Sequence, residues 1–408
     1  MSSRPKLWTK DFIMISLSNF LLFVSFYMLM VTFAMYAIEQ FMVSNSIAGL
    51  ASSIFVLGAV LVRPFAGNLI EKIGRKRLLL IGLVIFLLGS IVYFPITNIG
   101  WLLFFRFIHG FAFGISTTAT ATIVVDVIPL SRQGEGMGYF STSMNLAMAV
   151  GPFTGLIIMQ YLDPKTIFIA TTVFAVVSLV IALFTNVPER PVTPQEKSGK
   201  KKLQISDFFE RSAMPMAIFM LIVGLANSSI LSFINAYAIE IDLVDAASFF
   251  FVMYAVFLVL SRPVTGRMYD LRGENAVLYP SIALFGIGLV VLSQADSTFV
   301  LLVAGAIIGV GWGTLQSSAQ TVVVGQVPHH RVGLATSTFF VFYDLGMGIG
   351  PFLLGYLVAG IGFRGLYIVM AAIAFLALPI YYFLHGKKTS KKKQFAIARD
   401  DPDYSTTG

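Results

Sequence analysis

Apolar runs of roughly 20 residues recur twelve times along the chain, separated by short polar breaks, and each run is long enough to cross a bilayer as a helix. They fall at about 12–38, 45–65, 77–96, 100–125, 136–160, 166–187, 213–239, 246–265, 276–294, 298–325, 332–358 and 364–385. All are expected to be helical, because in lipid every backbone amide must find its partner within the segment. The longest polar interruption is 188–212, where PERPVTPQEKSGKKKLQ combines prolines, charges and a lysine run. The expected organisation is therefore 1–187 as one six-helix half, 188–212 as a linker, 213–386 as a second six-helix half and 387–408 as a flexible tail. The linker is a solvated, topology-setting loop or a site for lipid headgroups or a partner.

The two halves are copies. Arg63-Pro64, Gly67, Glu71 and Gly74 return 199 residues later as Arg262-Pro263, Gly266, Asp270 and Gly273. Gly110 and Gly114 return as Gly309 and Gly313, and Gly151-Pro152-Phe153 returns as Gly350-Pro351-Phe352. Tyr36-Ala37-Ile38-Glu39 reappears as Tyr237-Ala238-Ile239-Glu240 at an offset of 201. So long a period describes a duplicated half rather than a solenoid. In a membrane chain such a duplication marks a transporter built around a central site.

Composition supports the membrane setting: 57% of the 408 residues are hydrophobic and 12% charged, against about 25% charged in soluble proteins, and the mean hydropathy is +0.84. Cysteine is absent and only His109, His329, His330 and His385 carry imidazole, which excludes thiolate sites and leaves no metal-ligand spacing. The net charge of +8 lies in loops, so it argues for topology rather than for nucleic acid. With the N-terminus cytoplasmic, all of the 28 Lys and Arg except Arg106, Lys165 and Arg364 fall on the cytoplasmic side or at its boundary. That bias places both termini inside a multi-pass plasma-membrane protein. The first apolar run is longer than a signal-peptide core and is expected to remain as a span.

Between the second and third runs the chain reads Gly67-Asn68-Leu69-Ile70-Glu71-Lys72-Ile73-Gly74-Arg75-Lys76-Arg77. Its glycines permit a tight turn, and Glu71 beside Arg75 can pair and unpair as helices slide. This stretch resembles the signature loop of the major facilitator superfamily, and Gly266, Asp270 and Gly273 form an eroded second copy. The resemblance implies an all-α membrane fold of twelve helices in two pseudo-symmetric halves. It also implies that Gly67, Glu71, Gly74, Arg75 and Lys76 form a conformational latch with Asp126, holding the outward-facing state. A surface salt bridge with a purely topogenic role is the competing reading.

Arg106 stands inside apolar sequence, followed by His109, Gly110 and Gly114. An intramembrane charge is costly and points to function; snorkelling to the interface is the alternative. Arg106 resembles the buried arginine of the family's proton-antiporter motif. Gly138, Gly151, Pro152 and Gly155 resemble the antiporter glycine motif of the fifth span, which departs from the pattern at Ala147 and Leu156. Asp344 lies thirteen residues into its span, near mid-membrane, and its repeat mate is Asn145. Asp344, Arg106 and His109 are the proton-coupling candidates, with a hydrogen-bonded structural role as the alternative for each.

In this family spans 1, 4, 7 and 10 line the central cavity. The resemblance therefore nominates Asn19, Phe23, Phe26 and Tyr27; Thr117 and Thr118; Asn227, Ser228, Phe233 and Asn235; and Trp312 and Gln316. Aromatic faces with few fixed charges suit small amphiphilic organic molecules. Export of such compounds in exchange for protons, as in the twelve-span drug:proton antiporter branch, is the function expected. A dedicated metabolite transporter and a lipid translocase are the alternatives. A monomer is expected, with protons and the bilayer as partners. No cofactor or metal is called for. No Gly-Lys-Ser/Thr phosphate loop is present, and no nucleophile and base pair suggests an enzyme.

Overall fold

A computed structural model describes residues 5–43, 45–187, 207–328 and 331–387, and among them there is no strand. The linker from 188 to 206 and the tail from 388 onward lie outside the described residues. Ten helices follow one another as α1 (Lys10–Phe41), α2 (Asn45–Ile73), α3 (Arg75–Val92), α4 (Ile99–Val127), α5 (Gln133–Tyr161), α6 (Thr166–Phe184), α7 (Met214–Glu240), α8 (Val244–Arg272), α9 (Glu274–Ser293) and α10 (Thr298–Gly325). The last helical stretch, Val332–Tyr381, is broken at Gly362 (φ 69°, ψ 178°), giving α11 (332–361) and α12 (363–381). A π turn at Tyr382–Gly386 ends it.

Eleven segments are long and apolar enough to span a membrane among the described residues. The twelfth, α3, has 18 residues, and Arg75, Lys76 and Arg77 form its first turn. Its remaining length is apolar, so those three charges sit at the rim of a span rather than within it. The expected twelve-helix architecture is present.

The duplication extends to the backbone. Gly74 (φ 99°) and Gly273 (φ 84°) both turn the chain through the left-handed region, which is nearly free of strain only for glycine. Met42 and Asp242 likewise take φ of 53° and 55° at matched turns. Within the first half α1 packs on α5 and α6, α2 on α4, and α3 on α4 and α6; in the second, α7 packs on the α11–α12 stretch and α10 on α8 and α9. The halves meet through α2 against α11 and α5 against both α8 and α10. These seams are exchanged by the pseudo-symmetry, so motion at one has a counterpart at the other.

The start of α1, the end of α12 and the turns that join α2 to α3 and α8 to α9 lie at one end of the bundle, called here the basic face. Helices longer than the minimal span change one expectation. Arg63 and Arg262 were assigned to the membrane boundary by ending their spans at 65 and 265. Because α2 continues to Ile73 and α8 to Arg272, each guanidinium instead sits about 15 Å inside its helix end and is buried.

Candidate functional site

A cavity of about 50 Å³ lies between the halves, walled by Phe23, Phe26, Tyr27 and Met30 of α1, Phe113 of α4, and Ser228, Leu231 and Ser232 of α7. Val56 and Ala59 of α2 and Tyr343, Asp344, Met347 and Gly348 of α11 complete it. Its wall is aromatic, with Phe26 stacked on Phe113 at 5.0 Å between centroids. The volume suits a few waters and is far below that of an organic ligand, so loading a substrate requires the helices to separate.

Asp344 is the carboxylate on that wall, and it is held by Arg63 of α2 with Nε to Oδ2 at 2.8 Å. The guanidinium Nη1 also donates to Thr117 Oγ1 and Thr118 Oγ1 of α4, each at 3.1 Å. Phe340 of α11 presents its ring to the cation at 4.8 Å, and Ser337 Oγ of α11 donates to the Arg63 carbonyl at 2.5 Å. The carboxylate side chain is 15% exposed whereas the guanidinium is sealed. The carboxylate therefore meets the cavity while its guanidinium partner does not. This pair ties α2 and α4 of one half to α11 of the other.

The remaining candidates occupy distinct positions. Arg106 is fully buried, donates from Nε to the Ala51 carbonyl at 3.2 Å and lies over Phe33 and Phe55 at 4.1 and 4.5 Å. Two aromatic faces thus take the place of a counterion. His109 Nδ1 shares a 2.8 Å hydrogen bond with Tyr93 and packs on Phe86 at 4.2 Å, on the α3 side of α4. Neither lines the cavity. Gly151 and Gly155 face the α1 backbone and side chains at Tyr27, Met28 and Thr32, and Pro152 lies within α5; Gly138 adjoins Arg262.

Of the nominated cavity residues, Phe23, Phe26, Tyr27 and Ser228 line the space. Thr117 and Thr118 coordinate Arg63. Asn19 donates to Ser143 at 2.9 Å and accepts from Thr120 at 3.0 Å. Asn227 reaches the Met347 sulfur at 3.7 Å, Phe233 packs near Phe363, Trp312 is stacked on Tyr343 at 6.2 Å, and Gln316 accepts from Asn145 at 3.1 Å. The side chain of Asn235 lies outside the described residues. Arg63 was missed as a site residue, although its recurrence as Arg262 was the available signal.

At the basic face Arg75 pairs with Asp126, both side chains nearly buried. Lys76 Nζ caps the end of α6 through the carbonyls of Leu183 (3.0 Å) and Thr185 (2.8 Å). The Glu71 side chain lies outside the described residues. Asp270 accepts from the backbone amides of Gly134 at 2.8 Å and Glu135 at 3.2 Å, closing the α5–α8 seam on the N-terminal turn of α5 with a favourable helix dipole. Gly67 closes the other seam against Ser337 and the Gly333 carbonyl of α11. A Cβ there would stand 2.9 Å from that oxygen. Gly67→Val should therefore hold this seam apart. Because the chain has no native cysteine, Ser232→Cys reports it cleanly. Labelling by an impermeant maleimide from the face opposite the basic one should slow about tenfold, a population shift of about 1.4 kcal/mol.

Glu210 joins the segment before α7 to α11. Burial alone would push its carboxyl up, but bonds from Ser212 and the Arg331 guanidinium outweigh this and hold it below the usual carboxylate range. A lowered folded value stabilises above the unfolded value of about 4.3, and that contribution disappears as pH falls through the folded value. The melting-temperature gap between wild type and Glu210→Gln should be full at pH 7 and narrow as the pH drops below 4.

These features are matched by a model of the Major Facilitator Superfamily over residues 15–244 and 243–402. The chain belongs to that superfamily. It is 27% identical over 388 residues to the multidrug resistance protein MdtG of Citrobacter koseri, covering 91% of this chain and 94% of that one. An uncharacterized MFS-type transporter of Methanocaldococcus jannaschii is 23% identical over 344 residues, covering 83% and 89%. Among solved structures, the human organic anion transporter MFSD10 (TETRAN) superposes with a TM-score of 0.76 at 16% identity over 92% of this chain and all of that one. FucP in the outward conformation gives 0.69 at 17% identity over 93% and 99%. At those identities the structures speak for the fold. Family and fold together point to a transporter rather than an enzyme.

Proposed function

We propose that this protein exports small amphiphilic organic compounds in exchange for protons by alternating access, with Asp344 carrying the proton. The observation that carries the reading is the placement of Asp344 on the cavity wall while its charge holds Arg63 across the seam between halves. Protonation at one oxygen thereby weakens an interhalf contact and changes the wall that a substrate meets. The aromatic lining favours an amphiphile, and the resemblance to proteins named for multidrug resistance agrees with export. The proton-coupling roles of Arg106 and His109 are secondary in this reading, since both lie away from the cavity. Gly67, Gly74, Arg75, Lys76 and Asp126 act as the latch at the basic face, with Glu71 assigned by motif alone. Gly151 and Gly155, on either side of Pro152, set the close α1–α5 packing, while Gly138 leaves room for Arg262 of α8.

The charge distribution supports a plasma-membrane protein with both termini in the cytoplasm, and the reading takes it as a monomer whose two halves are joined by the 188–212 linker. Purified protein in liposomes with a trapped pH-sensitive dye tests the function. Adding an amphiphile on one side should drive protons in the opposite direction. Co-directional proton movement would make the protein a symporter and overturn the exchange.

A further inference from the structure

The repeat equates Arg63 with Arg262 and Asp344 with Asn145, so the two halves carry the same guanidinium at the same depth but only one carboxylate. Arg262 is 2% exposed. Its Nε donates to Thr142 Oγ1 of α5 at 2.9 Å and its Nη1 to Ser317 Oγ of α10 at 2.6 Å. Its Nη2 has no hydrogen-bond partner. Among the described residues no carboxylate forms an ion pair with it, and no aromatic ring takes the cation as Phe33 and Phe55 take Arg106. Gln320 of α10 adds a second buried unpartnered donor, Nε2, while its Oε1 accepts from Ser141 Oγ of α5 at 3.4 Å. Asn145 is engaged elsewhere, with Gln316 and with the Tyr254 hydroxyl at 3.4 Å.

A guanidinium remains charged at neutral pH, and a buried charge without a counter-charge is costly. Two neutral hydroxyls are weak compensation compared with the carboxylate that Arg63 enjoys. The cluster lies on the seam where α5 meets α8 and α10, so separating the halves uncovers it. It lies behind the cavity wall: the Tyr254 hydroxyl of α8 is within electrostatic range of both Arg262 and the wall residue Tyr27. We infer that Arg262 is an anion-binding subsite, and that the acidic head of an amphiphilic monoanion supplies at its Nη2 the countercharge that Asp344 supplies to Arg63 at Nε. This rests on the transport reading and narrows its substrate to carboxylates, sulfonates or phosphate monoesters with an apolar body. Arg262 would bind the head bidentately or through Nη2, Gln320 Nε2 would supply a further donor, and the aromatic wall would receive the body.

Three probes with one apolar body separate the outcomes: pyrenebutanoate, pyrenebutanol and pyrenebutylamine. Equilibrium binding to detergent-solubilised full-length protein should favour the carboxylate over the alcohol by at least about tenfold, as expected for one charge-assisted contact. Arg262→Gln should abolish that preference and Arg262→Lys should restore part of it, while affinity for the alcohol and the thermal melting profile report that the variants are folded. Retention of the carboxylate preference in Arg262→Gln, or a wild-type preference for the amine or for none, overturns the assignment. The same probes in liposomes with the pH dye test exchange separately. Carboxylate binding that depends on Arg262 but drives no proton counterflow leaves the subsite standing and removes the antiport reading.

Discussion

Asp344→Asn should reduce amphiphile-driven proton counterflow in liposomes by more than about tenfold, to the level of protein-free vesicles, while downhill exchange of the compound persists. Asparagine keeps the size of aspartate and an oxygen that can accept from Arg63 Nε, so the seam between α2 and α11 should hold. It cannot gain and lose a proton in the working range. The variant therefore separates the chemistry of the carboxyl from its packing. Asp344 is suited to coupling because two constraints meet there: exposure to the cavity and a 2.8 Å contact with a guanidinium that is itself sealed and bound to Thr117 and Thr118. Proton flux that survives in Asp344→Asn would reduce this residue to a structural counterion and return attention to Arg106 and His109.

The second large effect concerns how closely paired helices approach. Gly110 of α4 lies against the backbone of Phe55 in α2, and its copy Gly309 of α10 lies against Tyr254 in α8. A Cβ at either would stand 2.9 Å from a neighbouring carbonyl carbon and almost as near its Cα. Backbone cannot rotate aside as a side chain can, so each helix pair would have to move apart. Gly110→Val and Gly309→Val should each cost about 1–3 kcal/mol or more, read as lower melting temperature and reduced yield of folded protein in detergent. Gly355→Ala is the control, because a Cβ there meets nothing within 4 Å. Unchanged stability in both valine variants would show that the helix spacing adjusts and that the repeated glycines serve another purpose.

The residues differ in how much of their role was readable from the chain. Gly110 and Gly309 could be read because small residues at matched positions in two copies imply the same close approach in both halves. The pairing of Arg75 with Asp126 was implied only by the resemblance of the Gly67–Arg77 loop to the superfamily's signature. Arg63 was different. It was visible as a repeated residue, yet hydropathy ended its span near position 65 and left it at the rim. Thr117 and Thr118 looked like cavity polar groups because their helix was assigned to the cavity; their hydroxyls turn instead to Arg63. Trp312 and Gln316 stand behind the wall, and α2 and α11 supply lining that span-level reasoning assigned to α10.

Apolar run length, loop charge and the 199-residue repeat by themselves determined twelve helices in two related halves. Those properties follow from burial in lipid and from positions along one chain, which hydropathy and spacing report directly. Only the tertiary structure decided that Asp344 answers Arg63 across 281 residues of chain, that its copy Asn145 leaves Arg262 without a carboxylate, and which helix faces enclose the cavity. Helix rotation and the register between distant helices depend on side-chain packing across two seams. A single helix's sequence leaves several such rotations close in energy, and the packed bundle selects one.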